Sequence, residues 1–118
     1  MEMTDAIAAL GALAHETRLQ IFRALVQAGP AGMGAGDLAR KLDVPPPTLS
    51  FHLRDLTQAG LTAPARDGRA VRYAADFEAM NALVGYLTDN CCAGNPAACA
   101  PPVPAKFKSN AKRIGARP

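Results

Sequence analysis

Apolar residues recur at intervals of three and four along most of the chain up to residue 90. In residues 4 to 13, Ile7, Leu10 and Leu13 lie three apart, which predicts a helix capped by Thr4 or Asp5. Residues 15 to 28, HETRLQIFRALVQA, place Leu19, Phe22, Leu25 and Val26 on one face, and Gly29-Pro30 stops the run. A Gly-rich stretch, AGMGAG, leads to a short helix at 37 to 42, with Leu38 and Leu42 four apart. After DVPPP the pattern resumes over 47 to 59, PTLSFHLRDLTQA. Proline fits the first helical turn, because its missing N–H has no partner there. Leu49, Leu53 and Leu56 mark the inward face, Gly60 suits the C′ position, and Thr48, Ser50, Phe51, Arg54 and Asp55 lie opposite.

The period then changes. LTAPAR and RAVRYAA are short strand candidates on either side of Asp67-Gly68. Asp-Gly between extended runs is a hairpin signal, since a type I′ turn needs positive φ at both central residues. Pro64 cannot donate to a ladder, so the first strand belongs at an edge. A last helix is expected from Asp76 as N-cap to about Asp89, with Phe77, Met80, Leu83, Val84 and Leu87 as its stripe and Asn90 ending it. There is no internal repeat. The expected organisation is a domain over 1–90, a Cys-rich loop over 91–99, and a basic, Pro-containing tail over 100–118 too poor in apolar residues to order.

At 118 residues the chain can form one domain with a real core. Apolar residues make up 49% and aromatics only 5%, which favours helices over a β sandwich. No apolar run approaches the roughly 20 residues of a membrane span. MEMTDAIAAL has no basic n-region, so a cytoplasmic protein with reduced thiols is expected. The net charge of +3 divides unevenly. Residues 100 to 118 hold five basic side chains and no acid, which leaves residues 1 to 99 with eight basic against ten acidic. Whole-chain charge therefore says little about nucleic acid, and local placement must decide.

Short helix, tight turn, second helix, then hairpin is the order of a winged helix-turn-helix, a mainly α fold with a small β-hairpin wing. Its second helix fits the major groove of B-DNA. Thr48, Ser50 and His52 can hydrogen-bond bases or phosphates. Arg54 can take guanine bidentately or hold a phosphate, and an exposed Phe51 can pack on a thymine methyl. For His52 a buried packing role stands beside the base-reading one. Asp55 is expected to pair with a neighbouring basic side chain. Arg66, Arg69 and Arg72 make the hairpin locally basic against one acid, Asp67, which suits phosphate or minor-groove contact.

LSFHLRDLTQAGL followed by RDGRAVRYA resembles the signature of the ArsR/SmtB family of metal-sensing winged-helix repressors. ALAHETRLQIFRAL is similar to that family's opening helix. The resemblance covers residues 5 to 90. It implies a homodimer joined through the first and last helices, bound to an imperfect palindrome in operator DNA upstream of its own operon and released by metal. Two of the family's metal sites cannot exist here. The arsenic sensors carry a Cys-Val-Cys-Asp-Leu run where this chain has Gly34-Ala35-Gly36-Asp37-Leu38. The zinc sensors use Asp and His ligands on the last helix, and residues 76 to 89 hold no His. NCCAGNPAAC, which contains all three cysteines, resembles a third variant with an Asn-Cys-Cys pair after the last helix and one more Cys beyond.

Trivalent arsenic and antimony favour three thiolates in a pyramid, and thiolates suit soft centres. Neighbours on an intact helix point about 100° apart, so Cys91 and Cys92 chelate best where the helix has frayed. Gly94 and Asn95-Pro96 can turn Cys99 back, at a length-dependent closure cost of about 2 kcal/mol. The reading is a metalloid-responsive repressor with Cys91, Cys92 and Cys99 as ligands. Its effector is As(III), with Sb(III) or methylarsenite as alternatives, and no cofactor is needed for folding. The competing reading is a repressor that senses thiol oxidation or another soft metal, such as cadmium, lead or zinc. An enzyme is not expected. No phosphate-cradling loop, triad or His-Glu zinc motif is present, and thiols after a helix C-terminus are disfavoured as thiolates by the dipole.

Overall fold

The computed structural model describes residues 1–68, 70–95 and 98. Residues Met1–Leu87 pack as one unit, and a second begins at Thr88. In the first unit the order is α1 (Met3–Leu13), α2 (Glu16–Ala28), β1 (Met33–Gly34), α3 (Ala35–Leu42), α4 (Pro46–Gln58), β2 (Thr62–Asp67), β3 (Ala70–Ala75) and α5 (Phe77–Leu87). This is the mainly helical, winged helix-turn-helix architecture that the sequence predicts. The expectation of a disordered tail at 100–118 concerns residues outside those described.

Most helix ends fall within two residues of their predicted places, and the caps explain the shifts. Helix α1 starts earlier, because the Glu2 N–H donates to Asp5 Oδ2 at 3.1 Å and so makes Asp5 an inside cap rather than the N-cap. At α2 the N-cap is His15, whose Nδ1 accepts from the Thr17 N–H at 3.1 Å. Asp76 caps α5 as predicted, its Oδ1 accepting from the Ala79 N–H at 3.0 Å. That helix ends at Leu87, short of Asp89.

The core is formed where the helix-turn-helix meets α2. Ile21, Leu25, Leu38, Leu49, Leu53, Leu56 and Leu61 are all but fully buried. Each such side chain contributes about 1.5–3 kcal/mol of transfer free energy. The inward face predicted for α4 is the buried one, whereas on α1 the spaced large residues are not the buried ones. There the buried residues are Ala6 and Ala9, while Ile7 and Leu10 are 61% and 43% exposed. Leu19, Val84 and Leu87, members of the apolar faces of α2 and α5, are also exposed. A three-residue spacing identifies an apolar face but not which of two faces the neighbouring helices cover.

The sheet is antiparallel in the order β1-β3-β2, so β2, with Pro64, lies at an edge as predicted. Strand β1 is unpredicted. It is two residues long and pairs Met33 with Tyr73 and Gly34 with Arg72. Its approach to β3 depends on Gly32, at φ +68, where an added Cβ would lie 2.0 Å from the Tyr73 carbonyl oxygen. In the hairpin Asp67 pairs with Ala70, so Asp67 is the last residue of β2 and not the first of the turn that the sequence predicts.

Candidate nucleic-acid interface and thiol pair

The link between α3 and α4 is fixed by backbone. Asp43 takes the left-handed conformation at φ 55 and ends α3, and the Val44 N–H donates to the Ala39 carbonyl at 3.0 Å. The next helix begins at Pro46, and its first backbone bond runs from Leu49 N–H to Pro45 O at 2.9 Å. With Leu49, Leu53 and Leu56 buried, α4 turns Thr48, Ser50, Phe51 and Arg54 to the surface. These four make a continuous outward face. The Arg54 guanidinium lies over the Phe51 ring, 4.9 Å from its centroid.

His52 is not on that face. It is only 9% exposed and packs against His15, with ring centroids 4.7 Å apart. Its Nδ1 is buried with no hydrogen-bond partner among the described residues. Burial pushes its pKa below the ordinary 6.5, the charges of His15 and Arg18 push the same way, and Asp55 opposes them. Of the two roles considered for His52, its buried position beside His15 is that of the packing residue.

Arg18, which the sequence reading did not single out, connects three helices. Its Nε donates to the Ala12 carbonyl at the end of α1, at 2.6 Å, and its Nη1 meets Asp55 Oδ2 on α4 at 3.4 Å. Asp55 thus has the basic partner expected of it. The available signal was the spacing of His15 and Arg18 within HETR, which puts both on the first turn of α2.

On the wing, Arg72 is turned inward along the sheet. Its Nε and Nη2 donate to the carbonyls of Ala31 and Gly32, at 3.3 and 3.1 Å, and tie the loop before β1 to β3. These bonds give Arg72 a structural role at the base of the wing. Arg66 lies on β2 opposite Val71, near the tip, and Arg69 is outside the described residues.

In the second unit, Cys91 and Cys92 are both free thiols, the first half-buried and the second exposed. They stand in a short turn, Cys91–Gly94, that is not a regular helix. Asn90, Cys92 and Ala93 have φ of 57, 59 and 57, in the left-handed region. The Cys91 N–H donates to Thr88 O and the Asn95 N–H to Cys92 O, each at 2.9 Å. Adjacent thiols here escape the fixed angle of a right-handed helix, which is the condition set for chelation by neighbours. Among the described residues no three His, Cys, Asp or Glu side chains gather as a metal site, and Cys99 lies outside those residues. No helix among them is long and apolar enough to cross a membrane.

Residues 13–64, which run from the end of α1 through α4 into β2, match the model of a helix-turn-helix domain family. The chain is 33% identical to the HTH-type transcriptional regulator YgaV of Escherichia coli over 88 residues, covering 75% of this chain and 87% of that one. Among solved structures it is similar to an ArsR-like transcriptional regulator from Rhodococcus, with a TM-score of 0.64 and 27% identity over 92% of this chain and 93% of that one. It is also similar to the homodimeric winged helix-turn-helix DNA-binding domain of Mb0332 from Mycobacterium bovis (TM-score 0.60, 27% identity, 75% and 82% covered). A further likeness is to the antimony-specific transcriptional repressor AntR (0.59, 28%, 73% and 77%). These relatives are DNA-binding regulators and not enzymes. With the recognition helix, the wing and the match to YgaV together, the chain belongs to the ArsR-like winged helix-turn-helix transcriptional regulators.

Proposed function

We propose that this regulator is a homodimeric repressor that leaves its operator when a trivalent metalloid binds its cysteines. Thr48, Ser50, Phe51 and Arg54 contact DNA in the major groove, and Arg66 and Arg69 on the wing contact phosphates of an imperfect palindrome. His52 and Arg72 support these elements from beneath. The homodimer is supported by the outward face of α1, where Met3, Ile7 and Leu10 are exposed, and by Leu87 on α5, which is 58% exposed. Apolar faces of this kind mark a protein interface, and the similar Mb0332 domain is homodimeric.

The observation that carries the effector reading is the pair of free thiols in a non-helical turn, in a regulator with no other soft-ligand cluster in its described residues. Cys91, Cys92 and Cys99 supply three thiols. Arsenous acid exchanging its three hydroxyls for them forms three As–S bonds and releases three waters. As(III) is the proposed effector and Sb(III) is next, a choice supported by the likeness to an antimony-specific repressor. A hundredfold fall in operator affinity requires about 2.7 kcal/mol of coupling, an ordinary allosteric magnitude.

The test is fluorescence anisotropy of the reduced protein on labelled DNA from upstream of its coding sequence, titrated with arsenite, antimonite and zinc. Release near stoichiometry by the metalloids, not by zinc, and lost in the Cys91→Ser, Cys92→Ser and Cys99→Ser variants is expected. Release that survives all three substitutions sinks the reading. Release by oxidant alone moves the thiols to redox sensing.

A further inference from the structure

Helix α4 exposes an aromatic ring in the middle of its outward face. Phe51 is 56% exposed. Successive helical residues turn by about 100°, so Pro47, Phe51, Arg54 and Gln58 form one stripe, all exposed, with Thr48 and Ser50 flanking it. The ring is constrained on two sides. The buried His52 imidazole meets it edge-on, with centroids 6.3 Å apart. The Arg54 guanidinium carbon lies over the ring, 4.9 Å from its centroid.

A cation–π contact consumes none of the five guanidinium N–H donors as hydrogen bonds. Arg54 has no hydrogen bond or ion pair among the described residues, so those donors remain available. The contact also restricts a long side chain that would otherwise lose more freedom on binding. The unit thus presents a planar two-donor fork beside an apolar ring. In the major groove, guanine O6 and N7 are the acceptor pair that suits such a fork, and the thymine methyl is the apolar group. A phosphate would take the fork but would give the ring nothing to cover it.

We infer that Phe51 and Arg54 act as one reading unit, which selects a T·A base pair next to a G·C base pair in each operator half-site. The inference rests on α4 being the DNA-reading helix and adds which bases it reads. Thr48 and Ser50, with short hydroxyl side chains, position the helix at its flanks.

The experiment begins with the full-length reduced protein and a pool of randomised DNA duplexes, carried through rounds of selection. The enriched half-site is expected to hold adjacent T·A and G·C pairs. Binding is then measured on that site with the thymine replaced by deoxyuridine, which removes only the methyl, or the guanine by 7-deazaguanine, which removes only the N7 acceptor. The expected losses are about fourfold for the methyl and about tenfold for the acceptor, per half-site. Phe51→Ala abolishes the response to deoxyuridine and weakens the response to 7-deazaguanine. Arg54→Met, which has no N–H donor in its side chain, keeps the first and loses the second. Both residues are exposed, so the variants should fold, as checked by circular dichroism. Tight wild-type binding to a site indifferent to both base changes overturns the inference and leaves DNA reading intact. An Arg54 dependence without guanine N7 dependence also overturns it, since the fork is then on a phosphate. If no sequence is enriched at all, the DNA-reading function fails with it.

Discussion

Replacing Arg18 by Ala removes the side chain that joins α1, α2 and α4. Two interactions go. The first is the hydrogen bond from Nε to the Ala12 carbonyl at 2.6 Å, a charged donor on the last turn of a helix. Bonds of that type contribute about 1.5–3 kcal/mol, and the site is part-buried, with the Arg18 side chain 18% exposed. The second is the pair with Asp55, which is long at 3.4 Å and has its carboxylate 34% exposed. After solvent screening it adds no more than about 0.5 kcal/mol. The expected loss is therefore about 1.5–3.5 kcal/mol, carried mainly by the backbone contact. For a domain of this size that lowers Tm by about 10–20 °C, at a fixed protein concentration so that assembly does not contribute. Two further variants separate the terms. Arg18→Lys keeps the charge but has no Nε and costs nearly as much as Ala, whereas Asp55→Asn costs about 0.5 kcal/mol or less. Urea denaturation of the three proteins gives the comparison. If Arg18→Ala and Asp55→Asn cost the same, or if Lys restores full stability, the ion pair rather than the carbonyl contact holds the helices, and the reasoning is refuted.

Lowered by burial, the His52 pKa makes stability fall in mild acid. Above 6.5 both folded and unfolded states carry it neutral. Below that value the unfolded state takes up the proton first, and stability is lost, at no more than about 1.4 kcal/mol per pH unit, until the pH passes the folded pKa. Urea midpoints against pH should show this slope and lose it in His52→Leu, so an unchanged slope removes His52 as its source. Gly32→Ala should destabilise by several kcal/mol, because the new Cβ meets the Tyr73 carbonyl at 2.0 Å with φ at +68. A normal thermal melt for that variant contradicts the close approach of the loop before β1 to β3. Ile7→Asp with Leu10→Asp should convert a dimer to a folded monomer in sedimentation, since both side chains lie on the outward face of α1. Unfolding in place of dissociation assigns that face to the core.

The helix-turn-helix was legible because its local signals agree. Leu49, Leu53 and Leu56 keep helical spacing, prolines open α4 where no N–H is needed, and Gly60 follows its end. The hairpin and its edge strand were legible from Asp67-Gly68 and Pro64 for the same reason. The thiol cluster is visible in the sequence itself, because a short loop keeps its residues close whatever the fold does.

What the sequence could not decide is which side of an amphipathic helix meets which neighbour. Ile7 and Leu10 have the spacing of core residues, yet Ala6 and Ala9 are the buried pair on α1. Periodicity is local, and burial depends on elements distant in sequence. The same distinction separates His52 from Phe51. Both follow Ser50 in the chain, but the 100° step between them, set against the packing of α4 on α2, turns one imidazole into the core beside His15 and leaves the ring outside. Arg72 looked like its neighbours Arg66 and Arg69 until the pairing of β1 with β3 brought the Ala31 and Gly32 carbonyls to it. Sequence alone determined which elements form and which chemistry the chain carries. Tertiary contact decided which charged and aromatic side chains remain free to use it, because burial and hydrogen bonding are settled by residues some forty positions apart.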